Sequence, residues 1–167
     1  MLANVKDELN RFAKYVVSQS RANLTRGKKN SSKDLYNSLD SEVKVSKNSF
    51  ELSFLMEEYG VFQDKGVSGV KKKYSTPYSY TTKMPPPSKM DKWIVKKGIA
   101  PRDKNGKFIS RKSLQFMIAR SIFNNGIKPS LFFTKPFEKA FKNLNKDLVE
   151  AYKLDVEQLI KNTINNK

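Results

Sequence analysis

The 167-residue sequence predicts an α+β fold: a small antiparallel sheet packed against long N-terminal and C-terminal helices, with a long basic arm or loop between them. Three observations carry this expectation. Apolar residues recur every three or four positions toward both ends of the chain, the repeat of a helix face. They alternate with polar residues from Phe50 to Phe54, the repeat of a half-buried strand. Between Lys65 and Lys112 there are 14 Lys or Arg against only Asp91 and Asp103, so this stretch carries +12 of the +17 net charge. A single domain over 1–167, with 65–112 as a basic loop or arm insertion, is the expected organisation for a chain of this length.

From Leu2 to about Leu24, the residues Val5, Leu9, Phe12 and Val16 fall on one stripe. They predict an amphipathic helix about 35 Å long that covers the core. Lys6, Arg11, Lys14 and Arg21 occupy its other faces as a solvated basic surface, and Gly27 with Lys28 to Ser32 ends it. Asp34 to Leu39 reads as a short link anchored by Leu35, Tyr36 and Leu39. A strand over Glu42 to Ser46, a turn at Lys47, Asn48 and Ser49, and a strand over Phe50 to Met56 make a hairpin. Its second strand turns Phe50, Leu52 and Phe54 to one face. Glu57 to Gly60 break the alternation and Gln63 to Gly66 carry turn chemistry, so a tight, exposed polar corner is expected there.

In the basic segment Tyr74, Tyr78 and Tyr80 are interspersed with Ser, Thr and Pro77, and the run Pro85, Pro86, Pro87 favours an extended path. Asp91 is placed to cap a short helix over Lys92 to Lys97 that carries Trp93 and stops at Gly98. Asn105 and Gly106 set a turn within Arg102 to Phe108. A helix from Ser110 to about Phe123 has Leu114, Met117, Ile118 and Ile122 as its apolar face. Ile127 to Thr134 suits an edge strand or extended segment. Pro136 then opens a final helix with the stripe Phe137, Phe141, Leu144, Leu148, Tyr152, Val156 and Leu159.

The chain has neither cysteine nor histidine. That removes disulfides, Cys-based zinc sites, His-assisted nucleophiles and the commonest general base, so neither a cofactor nor catalysis is expected. Asp7 and Glu8 stand where a signal peptide needs an apolar run. No apolar run approaches the ~20 residues of a membrane span. The expected site of action is a cytoplasm, with no membrane partner.

Several local patterns together resemble a known family. LYNSL precedes the first strands, EYGVFQDKG follows them, and SLQFMIARSIFNNGIKP leads to FFTKPFEKAF at the last helix. The combination resembles the head-to-tail connector proteins of tailed bacteriophages, also called neck, tail-completion or minor tail-component proteins. The residues that carry the likeness are Tyr59 with Gly60, and Gly126, Pro129, Phe133, Pro136 and Phe137. The resemblance implies a virion component assembled in the host cytoplasm. Many copies would form a ring stacked between portal, adaptor or tail ring proteins, around the channel through which DNA leaves. Non-specific contact with genomic DNA in that channel is one of the contacts it allows. A head-to-tail ring requires two different surfaces on each subunit.

The candidate partner- or DNA-binding residues are Lys71, Lys72, Lys73, Lys96, Lys97, Arg102, Lys104, Lys107, Arg111 and Lys112, with Tyr74, Tyr78, Tyr80 and Trp93 as anchors or stacking platforms. The bland alternative is a solvated lysine-rich loop. Two other functions compete with the connector reading. A basic nucleic-acid-binding protein is supported by charge alone, without a finger or an RNA-binding signature. A metal-dependent nuclease would use Glu42 and Lys44 as its Glu-x-Lys element, with Asp34 or Asp40 as a second magnesium ligand. That triplet is common by composition in so lysine-rich a chain.

Overall fold

In the computed structural model, which describes residues 2–46 and 49–165, the first helix is α1, Ala3–Arg26, and it buries the predicted stripe Val5, Leu9, Phe12 and Val16. The final helix is α6, Thr134–Asn165. Val5 and Leu9 cluster with Ala151, and Phe12 and Val16 with Leu144, so α1 and α6 are antiparallel. Strands β1, Asp40–Val45, and β2, Phe50–Leu55, form an antiparallel pair in which Val43 faces Leu52 and Ser41 faces Phe54. Phe50, Leu52 and Phe54 pack against the helix pair, as the alternation requires. The expected α+β fold with long terminal helices is therefore the one observed. Of the expected hairpin turn, Lys47 and Asn48 lie outside the described residues. Beside them, Ser46 N donates to Ser49 O at 2.9 Å.

The chain divides into two compact units, Met1–Glu57 with Phe132–Lys167, and Glu58–Leu131. In the first unit the aromatic core is a cluster of phenylalanines. Phe12 meets Phe54 and Phe137 edge-on at 6.2 and 5.7 Å between ring centres, and Phe54 meets Phe133 at 5.2 Å. The short link after α1 is a helix, α2, Asp34–Ser38, whose Leu35 joins Val17, Leu24, Leu39 and Phe132 in a second buried cluster. Arg21, expected on a solvated face, is instead engaged. Its Nε donates to Tyr36 O at 3.1 Å and its guanidinium NH2 to Leu39 O at 2.7 Å, satisfying carbonyls at the end of α2.

The start of α1 has no capping side chain of its own. Asp155, buried on α6, fills that place from across the helix pair: Oδ1 accepts from Asn4 N at 3.0 Å and Asn4 Nδ2 at 2.9 Å, and Oδ2 from Val5 N at 3.1 Å. Burial pushes the Asp155 carboxyl up, but the backbone bonds from Asn4 and Val5 and the Asn4 amide outweigh it and hold the group below its ordinary value. Because the folded value is depressed, this carboxylate stabilises the fold above pH 3.8 and loses that contribution as pH falls below it. Asp155→Asn is expected to cost about 1–3 kcal/mol at neutral pH. It should also shrink the stability difference between pH 6 and pH 3, read from urea denaturation; an unchanged difference would contradict the assignment.

In the second unit the expected polar corner is a helix, α3, Tyr59–Lys65. Gly60 and Asp64, one turn apart, form its buried face. Its last carbonyls are taken up by a distant segment: Ser130 Oγ donates to Gln63 O at 2.6 Å and Leu131 N to Asp64 O at 3.0 Å. Those long-range bonds let turn-forming residues close a helix. The expected long basic loop follows, and its first part is held by internal pairing. Val67 bridges Ile127 and Ser68 bridges Ser79. Buried Ser68 accepts from Tyr74 N at 2.9 Å through Oγ, donates its backbone N–H to Tyr78 O at 2.8 Å, and accepts from Tyr80 N at 2.8 Å. The compact unit that holds the basic loop runs from Glu58 to Leu131, wider than the expected 65–112, since Val67, Val70, Lys71 and Lys72 pair with Ile127, Phe123 and Asn124.

A 3-10 turn, Pro87–Met90, leads into α4, Asp91–Lys97, which packs beside α5, Arg111–Asn125. Asp91 does not cap α4. It is the helix's first residue, and its Oδ1 accepts from Gln115 Nε2 at 2.7 Å and lies 3.8 Å from Arg111, fastening α4 to α5. Ser110 does cap α5, accepting from Ser113 N at 3.2 Å. The buried positions of α5 are Leu114 and Ala119. Met117, expected inward, is 47% exposed.

At the end of α5 the loop crosses so closely that side chains are excluded. Gly126 has φ +70°, and a Cβ there would lie 2.1 Å from Val67 O; a Cβ on Gly69 would lie 2.2 Å from Asn124 O. The crossing is sealed by Val70 N donating to Phe123 O at 2.9 Å and Lys71 N to Asn124 O at 2.9 Å.

Candidate partner-binding surface

All fourteen predicted site residues belong to the second unit, where 16 Lys or Arg stand against Glu58, Asp64, Asp91 and Asp103. Lys71, Lys72 and Lys73 are exposed on the loop that crosses the end of α5, with Lys72 Nζ 5.6 Å from the centre of the Tyr74 ring. Lys96 and Lys97 are exposed in the last turn of α4. Arg102 is tied into its own turn: its guanidinium lies 3.8 Å over the Phe108 ring and donates to Gly106 O at 2.7 Å. Asp103 Oδ1 holds the same turn by accepting from Asn105 N and Lys107 N, each at 2.9 Å. Lys104, Lys107 and Lys112 are exposed, and Arg111 is exposed beside Asp91.

The tyrosines differ from open stacking platforms. Tyr78 packs edge-on against Phe62 with ring centres 4.7 Å apart. Tyr80 tilts against Phe123 at 6.2 Å, and burial pushes its hydroxyl pKa up. Tyr74 is half-buried through its backbone bond to Ser68. Trp93, by contrast, is 41% exposed on α4.

Sequence reasoning missed the concave feature of this unit. Tyr59, Phe62 and Gln63 of α3, Val67, the segment Pro77 to Tyr80, and Ile127 line a groove of about 630 Å³. Tyr59 is 46% and Phe62 41% exposed on its walls. A helical reading of YGVFQDK would have shown Tyr59, Phe62 and Gln63 on one side of one turn.

In the first unit α6 presents a second surface. The bond from Asn4 to Asp155 marks where α1 begins, and α6 continues beyond it through Asn165. Leu159 and Ile160 there are half exposed and Ile164 is 67% exposed. Phe141 and Tyr152, expected on the buried stripe, are also about half exposed, while Leu144, Leu148 and Ala151 take the side facing α1 and the sheet. Of the residues behind the nuclease reading, Glu42 and Lys44 pair with each other at 3.4 Å on the outer face of β1, and Asp34 and Asp40 are exposed. Among the described residues no group of three or more His, Cys, Asp or Glu is placed to hold a metal ion. Nor is any helix among them long and apolar enough to cross a membrane.

Comparison with protein-family models, with curated proteins and with solved structures yields no match to this chain. The residues that carry the likeness to phage connectors have structural places. Phe133 and Phe137 stand in the aromatic core, Gly126 at the loop crossing, and Tyr59 and Gly60 at the start of α3.

Proposed function

We propose that the chain is a non-enzymatic structural component of the phage neck or tail, whose copies join into a ring between the portal side of the head and the tail. The observation that carries this reading is the apolar end of α6: Leu159, Ile160 and Ile164 are exposed apolar residues past the contact of Asp155 with the start of α1, and a row of this kind is what contact between copies would cover. The basic second unit supplies a chemically different surface, as a head-to-tail ring needs. The likeness of Tyr59–Gly60 and of the Gly126-to-Phe137 segment to connector proteins supports the same reading. In the assembled particle the protein would sit in the neck or tail, against portal, adaptor or tail ring proteins.

The test is the native mass of the purified chain across a salt series, with negative-stain imaging. Apolar contact between subunits of charge +17 strengthens as salt screens their repulsion. Closed rings are expected to increase with salt, and Ile160→Glu with Ile164→Glu should leave a monomer of unchanged helix content. The second reading, a nucleic-acid-binding protein, rests on the concentration of charge in the second unit. It predicts the reverse, a monomer whose affinity for duplex DNA falls steeply with salt. Magnesium-dependent cutting abolished by Glu42→Ala would establish the nuclease instead.

A further inference from the structure

We infer that the groove of the second unit binds an acidic segment of a partner protein that inserts an apolar or aromatic anchor between Tyr59, Phe62 and Tyr78. Three features of the groove agree on this ligand. Its walls are aromatic, and the exposed rings of Tyr59 and Phe62 offer the amphipathic area that anchors protein contacts. The unit that holds it is strongly basic, 16 Lys or Arg against four acids. Two exposed lysines adjoin the groove's lining in sequence: Lys65 lies one turn after Phe62 on α3, and Lys128 follows Ile127, while one exposed acid, Glu58, precedes Tyr59. Its lining holds an orphan donor: Gln63 Nε2 is buried with no hydrogen-bond partner among the described residues. A carbonyl or carboxylate entering the groove would satisfy that amide once it rotates, removing the cost of a buried polar group left unpaired.

The same geometry argues against the other occupants. Phe62 and Tyr78 meet at 73°, edge to face, so they do not present the parallel faces on which successive bases stack. A second copy would bring another +17 to a unit that already carries 16 basic residues against four acidic ones. An acidic chain with one apolar anchor meets both the charge and the shape.

This inference deepens the connector reading by naming the chemistry of a partner, and it rests on that reading only for the partner's place in the particle. The two fail separately, because ring formation is measured without any peptide. The experiment titrates the full chain with an array of labelled Asp- and Glu-rich peptides centred on Phe, Tyr, Leu or Pro. The same peptides centred on Ala, the same peptides with Asn and Gln in place of the acids, and an oligo-dT are measured alongside.

At least one apolar-centred peptide is expected to bind at least tenfold more tightly than its Ala-centred form. Phe62→Ala and Tyr59→Ser should each remove most of that difference while leaving the urea unfolding transition of Trp93 fluorescence in place. Lys65→Glu with Lys128→Glu should weaken binding and flatten its salt dependence. Gln63→Leu, which keeps the apolar volume, should weaken it several-fold. The inference is overturned if no peptide is preferred over its Ala-centred form, if the Tyr59 variant binds as the parent does, or if oligo-dT binds as tightly and depends on Phe62.

Discussion

Phe12→Ala is expected to destabilise the first unit by about 3–5 kcal/mol, the cost of removing a buried aromatic ring and leaving a cavity. Phe12 is 6% exposed and meets the rings of Phe54 and Phe137 edge-on, so the loss is felt by β2 and α6 together. Phe137, one of the rings beside the space, is itself stacked on Phe133 and Phe141. The measurement is the midpoint of urea denaturation followed by far-ultraviolet circular dichroism, which the long helices α1 and α6 dominate. Phe141→Ala is the control: it lies on the same aromatic row but is about half exposed, and it should cost roughly 1 kcal/mol or less. Equal shifts for the two variants would show that the aromatic cluster is not the centre of this core.

Gly126→Ala should disrupt the second unit to a comparable degree, roughly 2–4 kcal/mol, from two costs that add. The backbone at φ +70° is strained for any side chain, and the new methyl would meet Val67 O at 2.1 Å. Backbone cannot yield as a flexible side chain would, so the pairing of Val67 with Ile127 must open. Trp93, the only tryptophan, lies in this unit and reports on it through fluorescence. Its transition should move to lower urea in Gly126→Ala and also in Gly69→Ala, which tests the steric cost at ordinary φ. An unmoved Trp93 transition would mean that the close crossing is not what holds the loop.

What could be read in advance follows from which forces are local. The stripe Val5, Leu9, Phe12, Val16 and the alternation Phe50, Leu52, Phe54 are statements about one face of one element, and both are buried as written. The helix α3 was hidden because Gln63, Asp64 and Gly66 have turn preferences that only the bonds from Ser130 and Leu131, more than sixty residues away, override. The internal pairing of the basic loop was hidden for the same reason. Charge and proline content describe solvation, whereas the fold of 66–80 depends on Ser68 and on glycines that meet the end of α5. Of the candidate site, the lysines were legible because exposure follows from their chemistry. The groove was not, since it is made by Tyr59 and Phe62 facing Tyr78 and Ile127 across distances no periodicity encodes.

The division of the chain has a consequence for the order in which it can fold during synthesis. The second unit is complete once Leu131 has left the ribosome, but α1 must then still wait for α6, which supplies both the apolar partner of Val5, Leu9 and Phe12 and the carboxylate of Asp155. Until then α1 has its apolar stripe covered by the hairpin alone and its first turn uncapped, a condition that favours aggregation when translation is slow or the chain abundant. Translation that stalls between Leu131 and Asp155 would release a molecule with a finished interior segment and unfinished ends.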